Sequence, residues 1–202
     1  MNEYHQQVLA SPEWAEALRE DIFVPWLDRI GDLGDDVLEL GPGPGLTTAI
    51  LLERLGHITA VELDPDAAAK LAAQSSAHVV CADAASTGLP ANRFSAVVTC
   101  SMFHHIPTVA QQHSVLEEAH RVLRAGGQLI GVDGVDSQDL RAFHVDDVFN
   151  PMAPEDLRRQ LTRIGFTNVR VECDDRLRFV GVKKSETRQP YGLDAPSGPG
   201  RY

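Results

Sequence analysis

Three glycines stand at alternate positions directly after a short apolar run. Such a glycine-rich turn lets a ligand approach the backbone closely. The segment Val37–Gly45 reads Val-Leu-Glu-Leu-Gly-Pro-Gly-Pro-Gly, and the helical pattern Leu46–Leu55 follows it. Gly41, Gly43 and Gly45 carry no side chain that would keep a nucleotide-like ligand off the backbone, and glycine accepts the positive φ of a sharp strand-to-helix turn. An ordinary tight turn has the same spacing, so the rest of the chain must distinguish the two.

Acidic side chains follow the next two predicted strands. Glu62 lies near the end of the predicted strand 58–63, and Asp83 follows the predicted strand 78–82. A carboxylate at the end of the second strand can accept from both hydroxyls of a ribose, and one at the end of the third can accept from an exocyclic amine. Glu39 lies inside an apolar strand instead, where an unpaired charge is costly, and a cationic ligand group is one candidate partner.

Histidines occupy two segments that follow later strands. His104 and His105 come after the fourth predicted strand, and His144 comes after the fifth with Asp146 and Asp147 nearby. His104 and His144 are the candidate catalytic residues because imidazole can take a proton near neutral pH, and either aspartate could orient His144. In the alternative, the histidines pack against a ligand or cap a helix, and the acidic loop is solvated.

The elements that position these residues alternate between strand and helix. The sequence predicts strands at 37–41, 58–63, 78–82, 94–100 and 128–132, and helices at 45–55, 65–74 and 109–123. Helix 154–164 then precedes strands 168–173 and 177–183, whose short connection predicts an antiparallel hairpin. The fold class is therefore α/β, a Rossmann-like three-layer sandwich with a mostly parallel seven-stranded sheet and an antiparallel C-terminal hairpin strand.

A helical lead-in precedes this sheet, and a short extension follows it. In the lead-in, residues 1–34, aromatic and aliphatic side chains recur at steps of four, and we expect the helix to bend or break near Pro25. Its two tryptophans fit the core better than a lid over a pocket, which is the alternative. Residues 35–183 form the main domain, and the proline- and glycine-rich tail 184–202 is expected to be a flexible extension.

The whole-chain composition narrows the functional class. The 202 residues suit one domain, and a formal charge of −11 disfavours the basic surface that binds nucleic acid. No apolar run reaches the roughly 20 residues that cross a bilayer, and no secretory signal is readable, so we expect no membrane partner and a cytoplasmic location. Cys81, Cys100 and Cys173 form no CxxC pair, which predicts buried thiols, and no metal site is expected.

An ordered series of segments resembles the class I S-adenosylmethionine-dependent methyltransferases, in particular the small-molecule, type 11 kind. The resemblance covers 37–183 and is carried by Glu39–Gly45, Val61–Pro65, Ala82–Ala84, Phe94–Val98, Arg121–Gly127 and Gly165–Phe166. Ser95 and Ala125 stand where this family often has Asp and Pro, at positions outside the expected cofactor contacts.

The resemblance implies that S-adenosyl-L-methionine is the cofactor and S-adenosyl-L-homocysteine the product, with methyl transfer by in-line displacement. It also implies that Glu62 binds the ribose hydroxyls and Asp83 the adenine amino group. The implied cofactor-binding residues are Glu39, Gly41, Pro42, Gly43, Gly45, Glu62, Leu63, Asp83, Ala84 and Ser101.

The methyl acceptor is constrained mainly by what the sequence lacks. The chain has no Asn- or Asp-Pro-Pro-aromatic motif after strand four, no Pro-Cys nucleophile, no catechol-type metal pattern and no long insertion. We therefore expect a small-molecule acceptor, not nucleic acid, with the acceptor atom and the oligomeric state left open. A non-catalytic cofactor-binding scaffold is one alternative. An NAD-type oxidoreductase is the other, and it is disfavoured because its pattern requires Gly where Leu46 stands.

Overall fold

Helices flank a seven-stranded sheet in the computed structural model, which describes residues 7–9 and 11–185. The strands are β1 (Val37–Leu40), β2 (Thr59–Glu62), β3 (His78–Cys81), β4 (Phe94–Cys100), β5 (Leu123–Gly134), β6 (Phe166–Cys173) and β7 (Arg176–Lys183). The helices are α1 (Pro12–Ala17), α2 (Phe23–Ile30), α3 (Leu46–Leu55), α4 (Pro65–Gln74), α5 (Val109–Val122), α6 (Gln138–Phe143) and α7 (Pro154–Ile164). The predicted flexible tail lies outside the described residues, apart from its first two positions.

The strand order confirms the predicted fold class. The sheet runs β3-β2-β1-β4-β5-β7-β6, and the first five strands in this order are parallel. Strand β7 pairs antiparallel with both β5 and β6. The chain reverses its direction of progress across the sheet between β1 and β4, which is where open α/β sheets bind ligands at the carboxyl ends of their strands.

Two apolar cores cover the two faces of this sheet. One joins α5 and α7 to the sheet through side chains such as Leu116 and Leu157, both fully buried. The other joins α2 and α3 through Phe23, Trp26 and Leu51. Trp26 is 1% exposed, as predicted for a tryptophan in the core. Within the described part of the chain, no helix combines the length and the apolar character needed to span a membrane.

The lead-in helix departs from the prediction in the position of its irregularity. A π-helical segment, Leu18–Ile22, separates α1 from α2, whereas Pro25 lies inside α2. Pro25 falls in the first turn after the π-helical segment, where a missing backbone N–H costs little, so the helix continues through it.

Two further expectations are wrong. Strand β5 begins at Leu123, well before residue 128, because Leu123 already pairs with β4. A bulge that contains Gly126, with φ +78°, then separates this pair from the regular pairing that starts at Gln128. Helix α6 was not predicted because six residues are too few to show a helical period, although Ser137 caps it by accepting from the Leu140 N–H at 3.2 Å.

The cysteines also differ from the expectation of buried thiols. Cys81 and Cys173 are exposed because each ends a strand at the two outer edges of the sheet, β3 and β6. Cys100 is half-buried at the end of the central strand β4. Desolvation raises the pKa of its thiol to about 12, so it remains protonated near neutral pH.

Candidate active site

A cavity of about 680 Å³ opens at the carboxyl ends of the parallel strands. Its floor is the loop after β1, one wall follows β2 and β3, and the opposite wall follows β4. The described part of the lead-in segment reaches its rim through Leu9, Trp14 and Leu18. Trp14 is half-buried: it packs against the core formed by α2 and α3 and also lines the cavity. We call this space the main cavity.

The glycine loop forms the floor of the main cavity through left-handed backbone. Gly41 and Gly43 have φ of +65° and +53°, values that side chains rarely adopt. A Cβ at Gly41 would collide with the side chain of Met102, whereas a Cβ at Gly43 would project into open space. The loop can therefore present bare backbone to a ligand at Gly43.

Glu62 is fixed at the end of β2 by backbone donors on both of its oxygens. Oε2 accepts from the Gly43 N–H at 3.1 Å, and Oε1 accepts from the Asp64 N–H at 3.0 Å. Asp83 follows β3 and accepts from the Ala85 N–H at 2.8 Å. Both carboxylates line the main cavity, so the structure brings the two predicted acidic residues to one ligand-sized space.

Glu39 lies beneath the glycine loop and is absent from the lining of the main cavity. It is 1% exposed, and its carboxylate accepts hydrogen bonds from the hydroxyls of Thr47 and Thr48, the latter at 2.6 Å. Burial raises the pKa of Glu39 to about 7 even though both hydroxyls act in the opposite direction. The hydrogen-bond partners of Glu39 are therefore threonine hydroxyls at the start of α3, whereas the sequence suggested a cationic ligand group as one candidate.

A second cavity of about 340 Å³ adjoins the first. Leu9, Trp14 and Ser101 line both spaces, whereas His104 and His144 line only this one. Ser101 has φ +53°, a left-handed value for a residue with a side chain, and such strain persists mainly where the surrounding structure enforces it at functional sites. We call this space the second cavity.

His104 is held by a buried carboxylate that the sequence did not assign to it. Its Nδ1 is hydrogen-bonded to Asp133 at the end of β5, and both side chains are almost fully buried. Asp133 also accepts from the N–H groups of Phe103 and Gly134, each at 2.7 Å. The bond to Asp133 fixes the orientation of the His104 ring through Nδ1.

His144 has a different partner from the one expected. Its Nδ1 bonds to the backbone carbonyl of Leu140 at 2.7 Å, and this carbonyl orients the ring. The reason is that His144 caps the C-terminus of α6, a helix that the sequence did not reveal. Burial lowers the pKa of His144.

The structure gathers most of the predicted binding residues. Eight of the ten line the main cavity, namely Gly41, Pro42, Gly43, Glu62, Leu63, Asp83, Ala84 and Ser101. Glu39 and Gly45 do not, because Glu39 lies below the loop and Gly45 begins α3 against Leu71. Asp133 and His105 were not chosen from the sequence as site residues, although both follow strands whose ends meet at this edge, and that position was the available signal.

Comparison with known families supports the assignment of the fold. Residues 38–131 match the family model of a methyltransferase domain, a span that includes the glycine loop, Glu62, Asp83 and most of β5. Over these residues the chain is similar to methyltransferase domains, and it has the class I methyltransferase fold, so the resemblance seen in the sequence is confirmed.

Curated relatives match this chain over part of its length. The ribosomal RNA small subunit methyltransferase A of Paracidovorax citrulli is 33% identical over 102 residues, which are 42% of this chain and 40% of that protein. The ubiquinone biosynthesis O-methyltransferase of Pseudomonas aeruginosa is 30% identical over 114 residues, or 52% of this chain and 47% of that protein. The matches thus span less than half of either relative.

Solved structures share the fold over nearly the whole chain. A SAM-dependent methyltransferase from Archaeoglobus fulgidus superimposes with a TM-score of 0.72 at 16% identity and covers 90% of this chain and 100% of its own. The phosphoethanolamine N-methyltransferase 2 of Haemonchus contortus, bound to S-adenosyl-L-methionine, gives 0.67 at 14% identity and covers 92% of this chain and 61% of its own.

The prediction that excluded nucleic acid as a partner is wrong. Several of the curated relatives are named as ribosomal RNA methyltransferases. The exclusion rested on the net charge and on missing motifs, and neither describes the local surface around the site. A whole-chain charge of −11 is a sum that leaves room for any local distribution.

Proposed function

We propose that this chain is an S-adenosyl-L-methionine-dependent methyltransferase that binds its cofactor in the main cavity and presents the methyl group to the second cavity. The observation that carries the proposal is the carboxylate of Glu62, fixed on the glycine loop at 3.1 Å from the Gly43 nitrogen in the wall of a cofactor-sized cavity. An anchored acceptor at the end of the second strand suits the paired hydroxyls of a ribose.

The main cavity fits such a cofactor in size and in shape. Its volume of about 680 Å³ lies within the range of roughly 300–1,000 Å³ that is typical of ligand sites. Open space at Gly43 leaves room for a ligand against the backbone. Asp83, which follows β3 on the same wall as Glu62, would accept from an exocyclic amine, and Leu63, 67% exposed, offers an apolar surface for a flat ring.

When bound, the cofactor supplies an electrophilic methyl group on a sulfonium. The task of the chain is to align the acceptor with that methyl group and to exclude water, which is the main source of rate in such a displacement. Ser101 marks the boundary where the two cavities meet. We propose His104 as the residue that accepts a proton at Nε2, with Asp133 as its positioning residue, and His144 as a second contact to the acceptor.

We divide the chain into two parts according to how each contributes to the two cavities. Residues 35–183 form the methyltransferase unit, and residues 1–34 form a lead-in that lines both cavities through Trp14. The acceptor class stays open, because the curated relatives include one named for ribosomal RNA and one named for ubiquinone biosynthesis. The cytoplasmic location stays a prediction from sequence.

Methyl-labelled S-adenosyl-L-methionine tests the proposal directly. The chain is incubated with the labelled cofactor and, in separate arms, with total RNA and with a protein-free metabolite extract. We expect label in one of the two acceptor fractions, and a His104→Gln variant is expected to bind the cofactor normally but to transfer more slowly. Cofactor binding by the wild type without transfer in either arm would favour the non-catalytic scaffold instead.

A further inference from the structure

Three histidine side chains meet where the two cavities adjoin. One ring nitrogen each from His104, His105 and His144 lies within 4.8 Å of the others. The ring centroids are 4.2 Å apart for His104 and His105, 4.9 Å for His104 and His144, and 5.1 Å for His105 and His144. Two of these rings are buried, with 4% of His104 and 3% of His144 exposed.

The two buried rings are both held through the same ring nitrogen. Nδ1 of His104 is hydrogen-bonded to Asp133, and Nδ1 of His144 donates to the carbonyl of Leu140 at 2.7 Å. Nε2 is therefore the atom of each ring that would bind a metal ion. An imidazole whose second nitrogen is held by a carboxylate or a backbone carbonyl is the usual arrangement of a metal-binding histidine.

A buried carboxyl group lies beside the cluster. Asp133 is 2% exposed and is hydrogen-bonded to Nδ1 of His104, so this ring has the carboxylate partner that metal-binding histidines commonly use.

We propose that His104, His105 and His144 bind a divalent transition metal ion, with Zn²⁺ as the probe, through three imidazole nitrogens. The site is reachable from both sides, because His105 lines the main cavity and His104 and His144 line the second. Three protein ligands leave a fourth position open for an exogenous group, as in catalytic zinc sites. Metal binding does not depend on the proposed methyltransferase function.

A catalytic role of the ion, in contrast, rests on the proposed methyltransferase function. It would also indicate which chemical group accepts the methyl. A hydroxyl or thiol of the acceptor that binds the metal ion at the open position has a lowered pKa and loses its proton to water. In the metal-bound enzyme, His104 is therefore a metal ligand, and no proton needs to be taken up at its Nε2. The acceptor oxygen or sulfur then forms a bond to the methyl carbon while the bond from that carbon to the sulfonium sulfur breaks. The products are the methylated acceptor and S-adenosyl-L-homocysteine.

Metal titration of the full chain, purified without a histidine tag and dialysed against a chelator, tests the site. We expect one Zn²⁺ per chain by calorimetry, and a visible absorption band when Co²⁺ replaces Zn²⁺. Asp133→Asn is expected to weaken Zn²⁺ binding by about 10–100-fold because it removes the carboxylate that orients His104 but leaves all three ligands in place. His105→Ala and His144→Gln remove ligands and are expected to weaken it further.

Controls separate this site from other histidines and from the cofactor site. His113→Ala, on α5 outside the lining of both cavities, is expected to leave Zn²⁺ affinity unchanged. Absence of stoichiometric Zn²⁺ binding in the wild type, or wild-type affinity in both His105→Ala and His144→Gln, would overturn the proposal. S-Adenosyl-L-methionine affinity, measured on the same samples, reports on the proposed function separately, so the two can fail independently.

Discussion

Each candidate residue takes its role from its hydrogen-bond partners. Glu62 and Asp83 could be predicted as site residues because each follows a parallel strand, and such strand ends meet at one edge. The pairing of His104 with Asp133 could not, because the two residues are 29 positions apart and meet only through the register of β4 against β5. The hydrogen bonds of Glu39 to Thr47 and Thr48 could not be predicted either, because threonines at the start of the next helix form no sequence pattern that indicates a partner.

Glu39 makes the stability of the fold depend on pH in a predictable direction. Burial raises its pKa from the ordinary value of 4.5 to about 7 in the folded chain, so the folded state keeps the proton to a higher pH than the unfolded chain. The stabilisation is therefore full below pH 4.5 and is lost as the pH rises to about 7, by up to ~3 kcal/mol. Glu39→Gln should remove this loss, so we expect the variant to gain stability relative to wild type between pH 5 and pH 8.

Chemical denaturation of both proteins at pH 5 and pH 8 measures this difference. Glu117→Gln, an exposed change on α5, serves as the control and should show the same pH dependence as wild type. An equal change of unfolding free energy with pH in wild type and Glu39→Gln would show that Glu39 does not hold its proton in the folded state.

At the scale of elements, the loop between β1 and α3 determines where a ligand can lie. The long helices and the parallel strands were predictable because their apolar positions repeat, whereas the short helix α6 and the π-helical segment Leu18–Ile22 were not. Helix α6 lines the second cavity through Leu140 and Phe143 and is followed by His144, so the proposed acceptor side of the site was the part least visible in the sequence.

Two glycines with similar backbone but different surroundings test the loop. Gly43 and Gly56 have φ of +53° and +79°, and a Cβ at either would meet no atom within 4 Å. We expect Gly43→Ala and Gly56→Ala each to lose about 1–2 kcal/mol of unfolding free energy from left-handed strain. Only Gly43→Ala should also weaken S-adenosyl-L-methionine binding, by about tenfold or more, because only Gly43 lines the main cavity.

Equilibrium unfolding and calorimetric titration of the two variants provide these numbers. Equal cofactor affinity in Gly43→Ala and Gly56→Ala would mean that the ligand does not approach the loop at Gly43.

At the scale of the whole molecule, the lead-in helix is part of the core and not only a cover. Phe23, Trp26 and Leu27 pack on the same face of the sheet as α3 and are each 1% exposed or less. The net charge, by contrast, does not exclude nucleic acid as a partner, because it averages over a surface whose local charge decides binding.

Leu27→Ala tests the structural weight of this helix. Removing a fully buried leucine side chain should cost about 2–5 kcal/mol of unfolding free energy, whereas Val109→Ala, at a position that is 60% exposed, should change it by less than about 0.5 kcal/mol. Tryptophan fluorescence and far-UV circular dichroism should report one coincident transition in both variants. An earlier fluorescence transition would instead show that the lead-in helix unfolds separately from the sheet.

The central claim is that the main cavity binds S-adenosyl-L-methionine through Glu62, and calorimetric titration of the wild type and of Glu62→Gln tests it most directly. The structure predicts that wild type binds one S-adenosyl-L-methionine or S-adenosyl-L-homocysteine per chain and does not bind NADH. Glu62→Gln should lose about tenfold or more of that affinity, while Glu117→Gln keeps it. Binding of NADH in place of S-adenosyl-L-methionine, or unchanged affinity in Glu62→Gln, would contradict it.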